Sequence, residues 1–236
     1  MPVHAFRLIA AAALTASATA AQAAAAATHD FPVVGFHGIG VAGPFEVRVV
    51  TGAAPRVTAV GDPAMIEATI VEVRDGTLKI RLRDHPRGPR WGYSRTVFTV
   101  VAPRLDHAAL AGAGSLAIDR VDNDFSGTLA GAGTLSVDSL HARTARFESG
   151  GAGSIRVAGA VDTLSLSDAG SGRIFADRLA SRTLAANVAG SGQVAARATQ
   201  SASVSLVGSG SVRVAGGARC SVTRMGSGSV VCGATD

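Results

Sequence analysis

The sequence predicts an all-β fold: a single-domain parallel β-solenoid of about seven coils, preceded by an N-terminal β cap. Three observations predict it. A Gly-x-Gly unit with Ala or Ser at its centre recurs seven times from residue 112 onward, at spacings of 18 to 20 residues. After every unit the second position from its centre is polar and the third and fifth are apolar, a period of two that marks a strand with one buried face. Finally, Gly makes up 29 of 236 residues, while 47% are hydrophobic and only 4% aromatic, so the core must be aliphatic. The glycines are too sparse for a collagen strand, and the chain is too apolar for a disordered acidic tail.

Residues 1–23 read as a secretory signal, with Arg7 in a short n-region and small apolar residues from Leu8 to Ala20. Ala21-Gln22-Ala23 fits a small-x-small cleavage site, and Ala18-Thr19-Ala20 offers a second. A transmembrane anchor fails on length, because Thr15, Ser17, Thr19 and Gln22 interrupt the run. The expected location is therefore exported, in the periplasm or at the cell surface. Residues 24–30 read as an Ala-rich tether.

Residues 31–103 lack the repeat and read as an N-terminal β cap with the first coils. Glu46 to Thr51, Arg56 to Val60, Val71 to Arg74, Leu78 to Leu82 and Thr96 to Val101 have strand character. Asp75-Gly76 marks a hairpin turn, and Asp62-Pro63 opens a short helical turn through Ala68. A solenoid exposes unpaired strand edges at its ends, which gives such a cap its reason.

Residues 104–233 carry the repeat. Its turns are Gly112-Ala113-Gly114, Gly131-Ala132-Gly133, Gly151-Ala152-Gly153, Gly170-Ser171-Gly172, Gly190-Ser191-Gly192, Gly208-Ser209-Gly210 and Gly226-Ser227-Gly228. Three positions after each centre stand Leu116, Leu135, Ile155, Ile174, Val194, Val212 and Val230; five after stand Ile118, Val137, Val157, Ala176, Ala196, Val214 and Cys232. These are two inward columns, each residue adding about 1.5–3 kcal/mol if it is a fully buried large aliphatic. The position two after each centre is polar throughout. A reversal this tight needs positive φ or close backbone approach, both of which Gly permits. A meander of hairpins closed into a barrel is the alternative architecture, since Gly-containing three-residue loops also serve hairpins. Constant residue types at constant register favour the solenoid.

Cys220 and Cys232 are the two cysteines. Export favours a disulfide between them, stapling the last coil; the competing reading is two buried thiols packed as small hydrophobes.

The Val41-Ala42-Gly43-Pro44-Phe45-Glu46-Val47 start, followed by serial GAGS and GSGS turns, resembles the head GIN domain family. The likeness runs over roughly residues 33–232. It implies a β-helix similar in shape to pectin-lyase-like solenoids and a role in adhesion. No catalytic motif comes with it.

The residues themselves are sparing with chemistry. Dinucleotide and P-loop motifs need a third Gly with an opening helix, or Gly-Lys-Ser/Thr, and neither occurs. At Gly150-Gly151-Ala152-Gly153-Ser154 a calcium β-roll would need Asp where Ile155 stands. The histidines show no ligand spacing, so neither metal nor cofactor is expected. The chain has no stacking-plus-basic module, and nucleic acid is not expected as a partner. Asp119, Asp122, Asp124 and Asp168 are the acids that a periplasmic carbohydrate-active enzyme of pectin-lyase-like type would use. Against that reading, Asp favours turns, and no long insertions build walls around a site. A non-enzyme is expected. One segment has binding character: Arg83, Arg87 and Arg90 precede the only Trp and the only Tyr, Trp91 and Tyr93. Arg forks suit carboxylate and phosphate, so an anionic glycan or an envelope protein is the expected partner. The sequence says nothing of oligomeric state.

Overall fold

A computed structural model of the chain describes residues 26–83 and 96–234. The elements, in chain order, are β1 (Ala27–Phe31), β2 (Gly38–Ala42), β3 (Glu46–Thr51), β4 (Arg56–Gly61), α1 (Pro63–Glu67), β5 (Thr69–Arg74), β6 (Thr77–Leu82) and β7 (Val97–Ala102). There follow β8 (His107–Gly112), β9 (Ser115–Val121), β10 (Phe125–Gly131), β11 (Thr134–Gly151), β12 (Ser154–Gly170), β13 (Arg173–Gly190), β14 (Gln193–Gly208), β15 (Ser211–Ala215), β16 (Arg219–Met225) and β17 (Ser229–Ala234).

The strand stretches that flank one Gly turn do not pair with each other. Each pairs in parallel with its equivalent one coil away: Leu135 with Ile155, Ile155 with Ile174, and Ile174 with Val194. That is a solenoid, and the closed barrel is excluded. Its two main faces are the strand stretch before each Gly turn (the leading face) and the stretch after it (the trailing face). A narrower third side near residues 139–143, 158–161 and 178–181 closes each coil.

The two glycines of each turn have different jobs. The first has positive φ, from 107° at Gly112 to 141° at Gly170, a region closed to most L side chains. The second stands too close to the coil below: a Cβ on Gly133 would lie 2.5 Å from the Gly114 carbonyl oxygen. Close approach lets even the turns hydrogen-bond coil to coil, as Ala132 N–H to Gly112 O and Thr134 N–H to Gly114 O, both at 3.0 Å.

The inward columns on the trailing face run from Leu116 and Ile118 through Val212 and Val214, all buried. On the leading face the inward residues vary in size, and one irregularity has a plain cause. A Cβ on Gly127 would lie 2.7 Å from the Phe147 ring, so the glycine makes room for the ring of the next coil.

The N-terminal region continues the solenoid, though not in sequence order. β2 lies between β6 and β8, and β3 lies between β7 and β9, all parallel. Phe45 takes the place of a second turn glycine, its carbonyl accepting from Ser115 N–H at 2.8 Å. Its buried ring packs edge-on against Phe98 at 5.2 Å. Antiparallel strands then cover the end: β4 on β7, β1 on β4, and β5 on β6. α1 joins them through buried Met65 and Ile66, with Asp62 capping Ala64 N–H at 2.9 Å. The tether expected over residues 24–30 is corrected here, because Ala27 to Phe31 form β1. Its Ala-Thr-His-Asp-Phe sequence has no apolar alternation, and pairing with β4 alone makes it a strand.

The C-terminal coil ends the rod differently. Val222 continues the column of buried Val204 yet is 45% exposed, because among the described residues no further coil lies over it. Arg224 stands where the previous coil has Leu206, and its Nη1 donates to Gly228 O at 2.9 Å. The Cys220–Cys232 disulfide ties β16 to β17 beneath it.

Candidate functional site

Two of the acids that an enzyme would need, Asp119 and Asp124, are engaged in joining one coil to the next. The Asp119 carboxylate accepts from Thr51 N–H at 3.0 Å and from Thr51 Oγ1 at 2.9 Å. Asp122 pairs with Arg120 at 2.6 Å. Asp124 accepts from the N–H groups of Thr144 at 3.0 Å and Arg143 at 3.1 Å, one coil on. The Thr144 bonds, aided by the Arg143 guanidinium, hold the Asp124 carboxyl below its ordinary value, so it is a carboxylate rather than a proton donor.

Asp168 is different, and the turn-residue reading of it is corrected. It points inward in the column of Leu129, Ser149 and Val188 and is only 1% exposed. Neither carboxylate oxygen has a hydrogen-bond partner, nor does the Ser149 hydroxyl of the preceding coil. Burial raises its pKa above the ordinary 3.8, with Ser149 opposing the shift. A group sealed in the core cannot touch substrate.

The third side carries a shallow groove along the rod axis, with depressions of about 440 Å³ and 390 Å³ that meet at His141 and Ala142. Its charges are neutralised in pairs, Arg143 with Asp124 at 3.5 Å and Arg182 with Asp162 at 3.1 Å. His141 leans towards Asp122 at 3.8 Å. From β8 to β14 the leading face is close to neutral as well. Its outward residues are mostly Ala, Ser and Thr, with Arg146 bonded to Glu148 at 2.6 Å.

The trailing face stands apart. From β9 to the C-terminus its two outward columns read Ser115, Thr134, Ser154, Arg173, Gln193, Ser211, Ser229 and Ala117, Ser136, Arg156, Phe175, Ala195, Arg213, Val231. Three arginines stand in these columns and no acid. Asp138 and Asp177 lie at the margin, where the strand turns into the third side. Arg156 lies over the Phe175 ring at 5.6 Å, a cation–π contact. The side chains of Arg173 and Arg213 have no ion pair or hydrogen bond among the described residues. Sequence reasoning read the first of these columns only as polar; the second, which holds Arg156, Phe175 and Arg213, is the column it left unread.

Of the binding segment expected from sequence, Arg83 is exposed, and its backbone N–H donates to Ala68 O at 2.8 Å. Arg87, Arg90, Trp91 and Tyr93 lie outside the described residues. All fourteen turn glycines stand at the coil reversals, and Cys220 and Cys232 are bonded to each other. No group of three or more His, Cys, Asp or Glu among the described residues could hold a metal ion.

Comparison with known proteins fits this architecture. A putative adhesin from Bacteroides fragilis NCTC 9343 superposes with a TM-score of 0.80 at 21% identity, covering 88% of this chain and 96% of that one. A putative lipid binding protein from Parabacteroides distasonis ATCC 8503 gives 0.68 at 24% identity, over 88% and 96%. A putative adhesin from Parabacteroides merdae ATCC 43184 gives 0.64 at 15% identity over the same shares. At these identities the likeness is one of fold. No curated protein matches the chain. The model of one family, however, matches residues 35–218, more than half of the sequence, and the chain thus belongs to the family described as putative auto-transporter adhesin, head GIN domain.

Proposed function

We propose that the chain is an exported, non-catalytic interaction module of the cell envelope, binding a glycan or another envelope component through the outer faces of its solenoid. The observation that carries this reading is the contrast between interior and surface. Asp119 and Asp124 are held in bonds between coils, Asp122 pairs with Arg120 of its own coil, and Asp168 is sealed in the core. The outward columns, by comparison, present side chains at fixed spacing on a rigid support, as recognition requires. The family's adhesin description supports the same reading. So do the signal-like residues 1–23, with the periplasm or the cell surface as destination. Among the described residues no helix is long and apolar enough to cross a membrane.

Arg83, Arg87, Arg90, Trp91 and Tyr93 are proposed as a further contact at the N-terminal end. β6 ends at Leu82 on the leading face and β7 begins at Val97 on the trailing face.

The test applies the mature protein to a glycan array and to purified envelope polysaccharide, with product analysis on the same samples. Binding without cleavage is expected; release of product overturns the reading. Replacing Arg87, Arg90 and Trp91 together by Ala should remove part of any salt-sensitive binding. Unchanged binding discards the loop contact and leaves the module.

A further inference from the structure

The trailing face and the leading face are made by the same repeat and differ in charge. On the leading face Arg146 and Glu148 neutralise each other between β8 and β14, and the remaining outward charges, Lys79 and Arg81 on β6 and Arg219 on β16, stand towards its two ends. On the trailing face Arg156, Arg173 and Arg213 stand exposed on β12, β13 and β15, with Phe175 half-buried between them and no acid in either column from Ser115 onward. Because coils stack at about 4.8 Å, Arg156 and Arg213, three coils apart, define a line on the order of 14 Å long. Arg173 lies beside that line, one coil from Arg156 and two from Arg213.

Each feature has a bland account taken singly, since an exposed arginine costs nothing in water. The arrangement is another matter. The arginines are spread along the rod axis, none has an ion pair among the described residues, and Phe175, Ala195, Gln193 and Ser211 stand between them. Such a surface matches a linear polymer carrying negative charge at intervals. Each guanidinium gives a forked donor set suited to carboxylate or sulfate. The Phe175 ring lies under the Arg156 guanidinium and holds that charge in place on the face, adding apolar surface beside it. Gln193 and Ser211 add neutral donors and acceptors between the charges.

We infer that the trailing face from Arg156 to Arg213 is a binding stripe for an anionic polysaccharide, lying along the solenoid axis with its acidic groups on the three arginines. The inference rests on the interaction-module reading and narrows it to one face and one ligand class. The occupant is a carbohydrate rather than a nucleic acid or a membrane. One half-buried phenylalanine is no stacking platform for successive bases, and the stripe has no apolar wedge to enter a bilayer.

The experiment measures binding of the mature protein to polygalacturonate, dextran sulfate and neutral dextran, at about 0.01 M and about 0.15 M ionic strength. A single-stranded DNA oligonucleotide and phosphatidylglycerol vesicles serve as other polyanions. The wild type should bind polygalacturonate or dextran sulfate, more weakly at the higher salt, and should leave neutral dextran free. The better of the two anionic probes identifies the group as carboxylate or sulfate. The variant R156Q/R173Q/R213Q should bind at least about tenfold more weakly, and R146Q on the leading face should bind as the wild type does. All four side chains are exposed, so melting temperatures should stay close to wild type; R173Q alone should still weaken binding if the triple variant proves unstable. Wild-type affinity in R156Q/R173Q/R213Q overturns the stripe, as does equal binding of neutral dextran. Tighter binding of DNA or vesicles than of either anionic polysaccharide also overturns it. If envelope polysaccharide is bound but the triple variant binds it unchanged, the stripe falls and the module stands; if no envelope component is bound, both fall.

Discussion

The Asp168 carboxyl lies against Gly192: a Cβ built on that glycine would stand 1.6 Å from Oδ2. A buried acid in one coil thus depends on the missing side chain of the next turn. Gly192 has no positive φ, so its requirement is purely one of space. Gly192→Ala should destabilise the fold by about 1–3 kcal/mol through overpacking. In an Asp168→Ala background the same change should cost less, since the next contact is Gly172 O at 3.1 Å. Denaturant unfolding of the four proteins of this cycle measures the coupling, and strict additivity would dissolve the relationship.

The same acid makes stability depend on pH. Burial lifts its folded-state pKa above the ordinary 3.8. As pH rises from there, the unfolded chain loses its proton first, and stability falls until the folded pKa is passed. Above that point the loss is complete. Asp168→Val restores the residue type of the following coil, where Val188 occupies the column. It should raise stability at neutral pH by about 1–3 kcal/mol, the usual cost of an unsatisfied buried polar group. It should also flatten this part of the profile. Thermal melts of both proteins from acid to neutral pH decide it, and an unstable Asp168→Val would show that the carboxyl is needed.

Asp124 works in the opposite direction. Its carboxylate is held down by the N–H groups of Thr144 and Arg143, so the stability it contributes is present above 3.8 and is lost as pH falls through its lower folded value. Asp124→Ala should therefore melt below wild type at neutral pH and converge with it in acid. A constant difference across the range would mean that packing, not charge, is at work.

The Cys220–Cys232 bond closes a short loop, with a sequence separation of 12. Its reduction should cost about 2–4 kcal/mol. The loss should be local, because β16 and β17 bear on the rod from one side only. Hydrogen exchange on reduced protein should show β16 and β17 unprotected while β11 to β13 keep their protection. Uniform loss would show that the final coil holds the whole rod together.

The repeat was open to reading because each turn imposes the same two constraints. Positive φ at Gly112 and its equivalents, and backbone contact at Gly133 and its equivalents, leave glycine as the residue of choice at both ends of the unit. The inward columns follow from period two and need no partner to be recognised. Other features lie beyond local rules. β1 is a strand only because β4 offers its edge, and Asp168 resembles a turn residue until the stacking places it inside. The order β6, β2, β8 has no local signature at all.

From the sequence alone came the coil, its period, its buried columns and the cysteine pair open to bonding, since each depends on residues a few positions apart along one strand or turn. The tertiary structure decided which acids are spent on neighbouring coils, which one is entombed, and which outward face keeps unpaired charge. Those are relations between residues about nineteen or more apart, and only parallel stacking at strand distance brings them together.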